Sequence, residues 1–454
     1  VNVILAIPLE LRLILLFLIG AALGSLVNLV VDRLREETPR YSPWNKLFDG
    51  EPTRDAATPA ARHKRRGRKP AGAPRKPGRF ALLPIVGWLE LAATAPADRP
   101  RRFWVRPIMV ELLLASGLTL LYWWEVGCGG LVPETFGGLR LRLPADTLAV
   151  VHQQFALHAL FLTFMAAASL IDLDEWVIPD SIAITGTLVA LLLAVVAPLS
   201  SLYAVVIGPK AGLELAHLDL FMPGNPVHEL GPRQAWGLLL GLGCIWMWCF
   251  GQLPRVWTLR WGWGTAVRLF ARRLWRDRVA ALRVVLIGMI VSLVCCLVWS
   301  YGSSLRWTSL LSALVGLAVG SGIVWIIRIV CSAILQREAM GFGDVTLMAM
   351  IGAFLGWQPT LVAFFLSPFF GLIPPVVALV MRAGTPRAVP FGPFLCLGAA
   401  TVLLSWAKVW PWLAERLEVF VGFGAGFVFA FLGGALVVLV ALMFGVQVIK
   451  RAFA

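Results

Sequence analysis

Charge is scarce in this chain. Asp, Glu, Lys and Arg make up 14% of its 454 residues, 59% are hydrophobic, and the mean hydropathy is +0.80. A soluble globular chain is about a quarter charged and about half apolar. That balance excludes a soluble multidomain enzyme, and with it a disordered, collagen-like or coiled-coil protein. Metal and nucleophile signatures are missing too. The seven cysteines are scattered with no CxxC pair, which removes the basis for a zinc ribbon or a disulfide framework. The five histidines form no HExxH, and neither Walker A nor GxSxG occurs. No small-residue cleavage site comes after the first apolar run, which ends in Val31-Asp32-Arg33-Leu34-Arg35, so the sequence predicts a retained first span rather than a signal peptide.

Long apolar runs are abundant. A membrane span needs about 17–25 mainly apolar residues. Candidates lie at 11–31, 107–125, 152–171, 181–199, 236–252, 283–301, 309–330, 345–357, 359–380, 392–410 and 419–447. The 345–357 segment is too short to cross alone unless it is extended or packed inside. Alternating-polarity strands are absent, and backbone in lipid must satisfy its own hydrogen bonds, so the runs are helices. The expected fold is all-α, a polytopic membrane bundle of about 9–11 transmembrane helices. The expected organisation is a first transmembrane helix at 1–31 and a basic loop at 32–106. A transmembrane core comes next at 107–199, then an insertion with two extra apparent spans at 200–308, and a second core region at 309–454.

The net charge of +15 is unevenly placed. Residues 32–106 hold 18 of the 40 Lys/Arg and residues 253–283 hold 8 more. Loops 126–150 and 200–235 hold only Arg140, Arg142, Lys210 and Arg233. Lys and Arg collect in cytoplasmic loops. This predicts 32–106 and 253–283 inside, 126–150 and 200–235 outside, and an outside N-terminus. The run Arg62-His63-Lys64-Arg65-Arg66-Gly67-Arg68-Lys69 reads as a solvated topology determinant resting on anionic lipid, not as a nucleic-acid site, because no aromatic interleaving accompanies it. Within 253–283, Arg268, Arg272, Arg276 and Arg283 recur at near-helical spacing among apolar residues, the pattern of an interfacial amphipathic helix.

Ionisable residues at span ends carry the chemical information in such a protein. Two groups stand out. Asp172-Leu173-Asp174-Glu175 closes an apolar run and is succeeded by Ile178-Pro179-Asp180. Asp172 is flush with the apolar run, whereas Asp180 reads as a cap of the next helix. Gly341-Phe342-Gly343-Asp344 opens another apolar run. Read singly, each is a turn or a cap. Read together on one membrane face, they supply the carboxylate pair of an aspartyl protease. Such a pair shares one proton, because two adjacent carboxylates do not both ionise cheaply.

These residues, in order with others, resemble the type IV prepilin peptidases of the GxGD class of intramembrane aspartyl proteases. Gly24-Ser25-Leu26-Val27-Asn28 with Asp32-Arg33-Leu34 resembles the family's first-helix motif. Leu83-Pro84-Ile85-Val86-Gly87-Trp88-Leu89 and Arg106-Pro107-Ile108-Met109-Val110-Glu111-Leu112 resemble the end of its cytoplasmic loop and the start of its second helix. Asp172-Leu173-Asp174 with Pro179-Asp180, then Gly341 to Asp344 with Gly352 to Trp357, and finally Pro390-Phe391-Gly392-Pro393, resemble the remaining elements. The resemblance implies catalysis by Asp172 and Asp344, with Asp174 the alternative for the first position. It leaves Gly341, Gly343, Asp180 and Glu111 as candidate supporting residues. It implies cleavage of the basic leader of prepilins or pseudopilins at the cytoplasmic face of a bacterial inner membrane, with no cofactor for proteolysis.

Three departures qualify it. Loop 32–106 has no Cys where many relatives carry zinc-binding pairs, so the expectation is no zinc and doubtful S-adenosylmethionine-dependent methylation. Thr346 stands where the family has Lys, which predicts loss of a cation near Asp344. The 200–308 stretch is longer than the family's connection. Two other classes compete with a protease: a transporter using the Asp residues as an ion path, and a proteolytically silent assembly factor. The absence of an internal repeat counts against the transporter. Helix polarity adds one expectation. Asp172 ends a helix and Asp344 begins one, so the dipoles would leave the proton on Asp172 and the charge on Asp344.

Overall fold

The computed structural model describes residues 7–34, 83–93, 103–131, 135–136, 139–140, 147–200, 202–207, 213–217, 234–253, 263–335, 340–381 and 389–422. The chain forms two compact units, Val1–Trp123 and Trp124–Ala454. The Arg62–Lys69 run lies outside the described residues.

In the first unit, α1 (Leu9–Leu34) packs along α3 (Val105–Tyr122), with the short helix α2 (Val86–Ala93) between them in sequence. The helices approach at backbone distance. A Cβ on Gly24 would fall 2.5 Å from the Glu111 Cα, so only glycine fits that crossing. Glu111 itself is wholly buried. Its carboxylate accepts from Ser25 Oγ at 2.6 Å, Trp88 Nε1 at 2.9 Å and Asn28 Nδ2 at 3.3 Å, and from the backbone N–H of Ile85. Asn28 also donates to the Pro107 carbonyl at 2.9 Å. A buried carboxylate is tolerated only when its lone pairs are filled. Glu111 therefore gathers α1, α3 and the start of α2 around one side chain.

The second unit holds α4 (Thr147–Glu175), α5 (Asp180–Val196), α6 (Ala235–Gln252), α7 (Trp263–Arg276), α8 (Arg278–Tyr301), α9 (Ser304–Leu335), α10 (Phe342–Leu355), α11 (Trp357–Val380) and α12 (Gly392–Gly422). Two small antiparallel hairpins, β1–β2 (Thr135–Phe136 with Leu139–Arg140) and β3–β4 (Tyr203–Ile207 with Leu213–His217), lie in the two loops poor in Lys and Arg. Near the start of this unit, His158 Nδ1 lies 2.7 Å from Glu125 Oε1, a buried pair that ties the turn after α3 to α4.

Among the described residues, eight helices are long and apolar enough to cross a membrane. Two shorter apolar helices, Asp180–Val196 and Phe342–Leu355, match the 181–199 and 345–357 segments. This is the polytopic helical bundle expected. The last candidate, 419–447, falls almost wholly outside the described residues. The short segment is packed inside: every residue of α10 from Asp344 to Leu355 is buried. Its neighbours close on it through small residues. A Cβ on Gly352 would collide with the Gly316 carbonyl oxygen, so α9 and α10 touch backbone to backbone. Gly186 of α5 leaves room for Met350, whose sulfur occupies the space a Cβ there would take. This packing fixes the height of Asp344, which opens α10, against the ends of α4 and α5.

Candidate active site

α4 ends on the acidic group. Trp176 adopts a left-handed backbone, φ +59°, and its N–H donates to the Asp172 carbonyl at 2.9 Å. That is a left-handed helix cap, held by a residue with a Cβ at a cost of about 1–2 kcal/mol. The chain then turns back through Ile178 into α5. The residue capping α5 is Pro179, with extended backbone, so Asp180 lies inside the first turn rather than at the cap expected for it. Its charge still meets the positive end of that helix.

Ile178 is the side chain around which the site closes. It is 4% exposed and sits between two glycines. A Cβ on Gly343 would lie 2.8 Å from the Ile178 Cβ, and one on Gly392 would lie 2.9 Å from its Cδ1. The glycines of both later motifs are thus spaces filled by one side chain from the first.

The two aspartates meet here. Asp172 is 4% exposed and Asp344 7% exposed, and both line one cavity of about 780 Å³. The Gly392 N–H donates to Asp172 Oδ2 at 3.1 Å. Asp344 is the third residue of α10, whose cap is Gly341, and its carboxylate accepts a hydrogen bond from the Gly341 backbone. Such a reach back to the cap residue satisfies a donor that the helix leaves open. The Thr346 hydroxyl donates to the Gly343 carbonyl at 2.9 Å and steadies the same turn.

Asp172 ends α4, but it also faces the first residue of α12, so each aspartate lies at a helix N-terminus. The α12 N-terminus therefore acts on Asp172 beside the α4 C-terminus on which the proton expectation was based. Another cation acts on Asp344 although Thr346 carries none. The charge of Arg328, on α9, acts on Asp344, and its guanidinium lies 5.8 Å from the Phe342 ring centroid. The fold brings in from another helix a charge that the local sequence lacks.

Of the sequence-derived candidates, Asp172, Asp180, Gly341, Gly343 and Asp344 line this cavity, and Asp174 does not. Glu111 belongs to the other unit, its carboxylate filled by the four donors described above. Sequence reasoning assigned no role to Ile178, Gly392 or Arg328. Ile178 and Gly392 lie beside or within the motif residues themselves, so a signal is present for both. Arg328 carries none, because its partner lies on a different helix. Among the described residues no group of three or more Cys, His, Asp or Glu is arranged to hold a metal ion.

Part of this sequence matches known proteins. Residues 275–376 match the type IV leader peptidase family. That segment runs from the end of α7 through α8, α9 and α10 into α11. It carries Gly341, Gly343 and Asp344, while Asp172 and Gly392 lie outside it. It also begins inside the 200–308 stretch, so α8 is part of the matched segment. The prepilin leader peptidase/N-methyltransferase of Stutzerimonas stutzeri is 38% identical over 103 residues, 22% of this chain and 35% of that protein. Its counterpart in Pseudomonas aeruginosa is 37% identical over 103 residues, covering 22% and 34%. That of Escherichia coli K12 is 29% identical over 96 residues, covering 21% and 43%. The chain spans about a third of the length of the first two. No solved structure matches it.

Proposed function

We propose that this chain is a membrane aspartic endopeptidase that removes the basic leader of type IV prepilins or pseudopilins at the cytoplasmic face of the bacterial inner membrane. The observation that carries the reading is the convergence of Asp172 and Asp344 on one cavity, the second of them inside the segment that matches the leader peptidases. One aspartate, ionised, takes a proton from a water. The other, protonated, donates a hydrogen bond to the scissile carbonyl. The hydrated carbonyl then collapses as the leaving nitrogen is protonated and the C–N bond breaks. Gly392 and Gly341 hold the two carboxyls by backbone hydrogen bonds, so the pair is oriented before substrate arrives.

The turn at Gly341–Gly343 gives an extended substrate a backbone to lie against, as a strand adds to an edge. The Lys and Arg of the 32–106 segment would attract anionic lipid headgroups. Proteolysis by this route needs no cofactor. S-adenosylmethionine enters only if the chain also methylates the new N-terminus. The test is cleavage of a candidate prepilin from the same genome in membranes, with wild type and the Asp172→Ala, Asp174→Ala and Asp344→Ala variants. Loss in the first and third alone supports the pair, and the product's N-terminal mass reports methylation. Cleavage by all three variants, or none by wild type, returns the chain to a transporter or an assembly factor.

A further inference from the structure

The helix α7 has a surface that the peptidase reading does not use. It connects two spans, starting after Gln252 of α6 and handing over to Arg278 of α8 across Asp277. Val267, Phe270 and Leu274 recur at three- and four-residue spacing and share one face. Arg268, Arg272 and Arg276 share another, about 160° around the helix from the first. Phe270 touches Phe250 of α6, ring centroids 6.3 Å apart, which braces the apolar face against the span end. Leu269 and Leu274 are half-buried, while Val267 is 54% exposed and Trp275 77% exposed. The apolar surface continues into α8, where Val279 and Leu282 are 60% and 68% exposed.

We infer that α7 lies in the plane of the cytoplasmic leaflet and binds anionic phospholipid headgroups through Arg268, Arg272 and Arg276. The charge pattern selects this occupant. Arg273 and Arg276 share one carboxylate, Asp277, at 3.5 and 3.9 Å. Arg268 and Arg272 have no counter-ion among the described residues. A helix with Arg on one face, apolar residues on the other and an aromatic residue at the boundary is built for the headgroup layer. Each Arg near an anionic surface adds to the attraction. The inference does not depend on peptidase activity.

The test is amide hydrogen exchange of the full chain in nanodiscs of neutral phosphatidylcholine, with and without phosphatidylglycerol. Exchange over residues 263–276 should slow at least about fivefold when the anionic lipid is present, and high salt should weaken the effect. The R268Q/R272Q/R276Q variant should lose the response. The corresponding triple Lys variant should keep it, and unchanged protection of α9 in both reports an intact fold. Equal exchange in the two lipids, or a full response in the triple Gln variant, overturns the inference. Slowing that requires two copies per nanodisc and no anionic lipid also overturns it, by assigning the face to a second copy of the chain.

Discussion

The backbone N–H of Gly392 donates to Oδ2 of Asp172 at 3.1 Å, joining the first turn of α12 to the last turn of α4 across 220 residues of sequence. This bond orients a carboxyl that would otherwise rotate about its own side chain. It also leaves no room for a side chain at residue 392.

Gly392→Ala therefore tests whether that orientation matters. The added Cβ would lie 2.5 Å from Asp172 Oδ2 and 2.9 Å from the Ile178 Cδ1. Something must move, and the carboxyl is the nearest group. A displacement of this kind costs about 10- to 100-fold in turnover. We expect kcat for leader cleavage to fall in that range with KM nearly unchanged. The melting temperature should drop by only a few degrees. A variant as active as wild type would show that the bond does not position Asp172.

Gly343→Ala separates two roles for the glycine turn. Its Cβ would fall 2.8 Å from the Ile178 Cβ and 3.2 Å from the Ile178 N. The nearest of these atoms is the Ile178 Cβ, which alanine would keep, so the relieving change is Ile178→Gly. If crowding against that Cβ is the whole defect, Ile178→Gly should restore much of the activity to the double variant. If the glycine serves an approaching substrate backbone, the double variant stays impaired and KM rises. Steady-state cleavage by the three variants, analysed as a double-mutant cycle, distinguishes the two.

Range along the chain decided which features were legible in the sequence. Apolar length and composition located the helices, because crossing a bilayer imposes both on one contiguous segment. Asp172 and Asp344 were legible as a pair because each sits at the edge of such a segment. The contacts that orient them were not. Gly392 meets Asp172 across most of the second unit, and Ile178 fills gaps left by two glycines far away in sequence. Arg328 acts on Asp344 from a neighbouring helix, a charge that the residues around Thr346 do not announce. The proton assignment drew only on the helix that carries Asp172, and the helix that faces it, through Gly392, could not be counted from the sequence.

Glu111 gives a prediction in the first unit that is independent of catalysis. One oxygen takes the side chains of Ser25, Asn28 and Trp88, and the other takes the Ile85 N–H. Glutamine keeps one acceptor but replaces the other with an N–H₂ facing a donor. Leaving a buried donor unmatched costs about 1–3 kcal/mol. Glu111→Gln should release the start of α2, so limited proteolysis within 83–93 should quicken about 5- to 160-fold if the whole cost appears as local opening. Glu111→Ala should be more sensitive still. Unchanged cleavage rates in both variants would mean that this carboxylate does not hold α2 in place.

The pair itself predicts the shape of the pH profile. Activity requires one proton shared between Asp172 and Asp344. At low pH both carboxyls are protonated and no base remains to activate water. At high pH both are ionised and nothing donates to the scissile carbonyl. The kcat/KM profile should be bell-shaped, with two apparent pKa values belonging to the pair rather than to either residue. Asp172→Asn and Asp344→Asn should each lose at least about a thousandfold in kcat/KM, and the double variant should be no worse than either single one, since the two act as a unit. Asp174→Ala should keep the wild-type bell, because Asp174 does not line the cavity. A profile rising monotonically with pH, with activity retained in either Asn variant, would point to a single general base and remove the shared-proton mechanism.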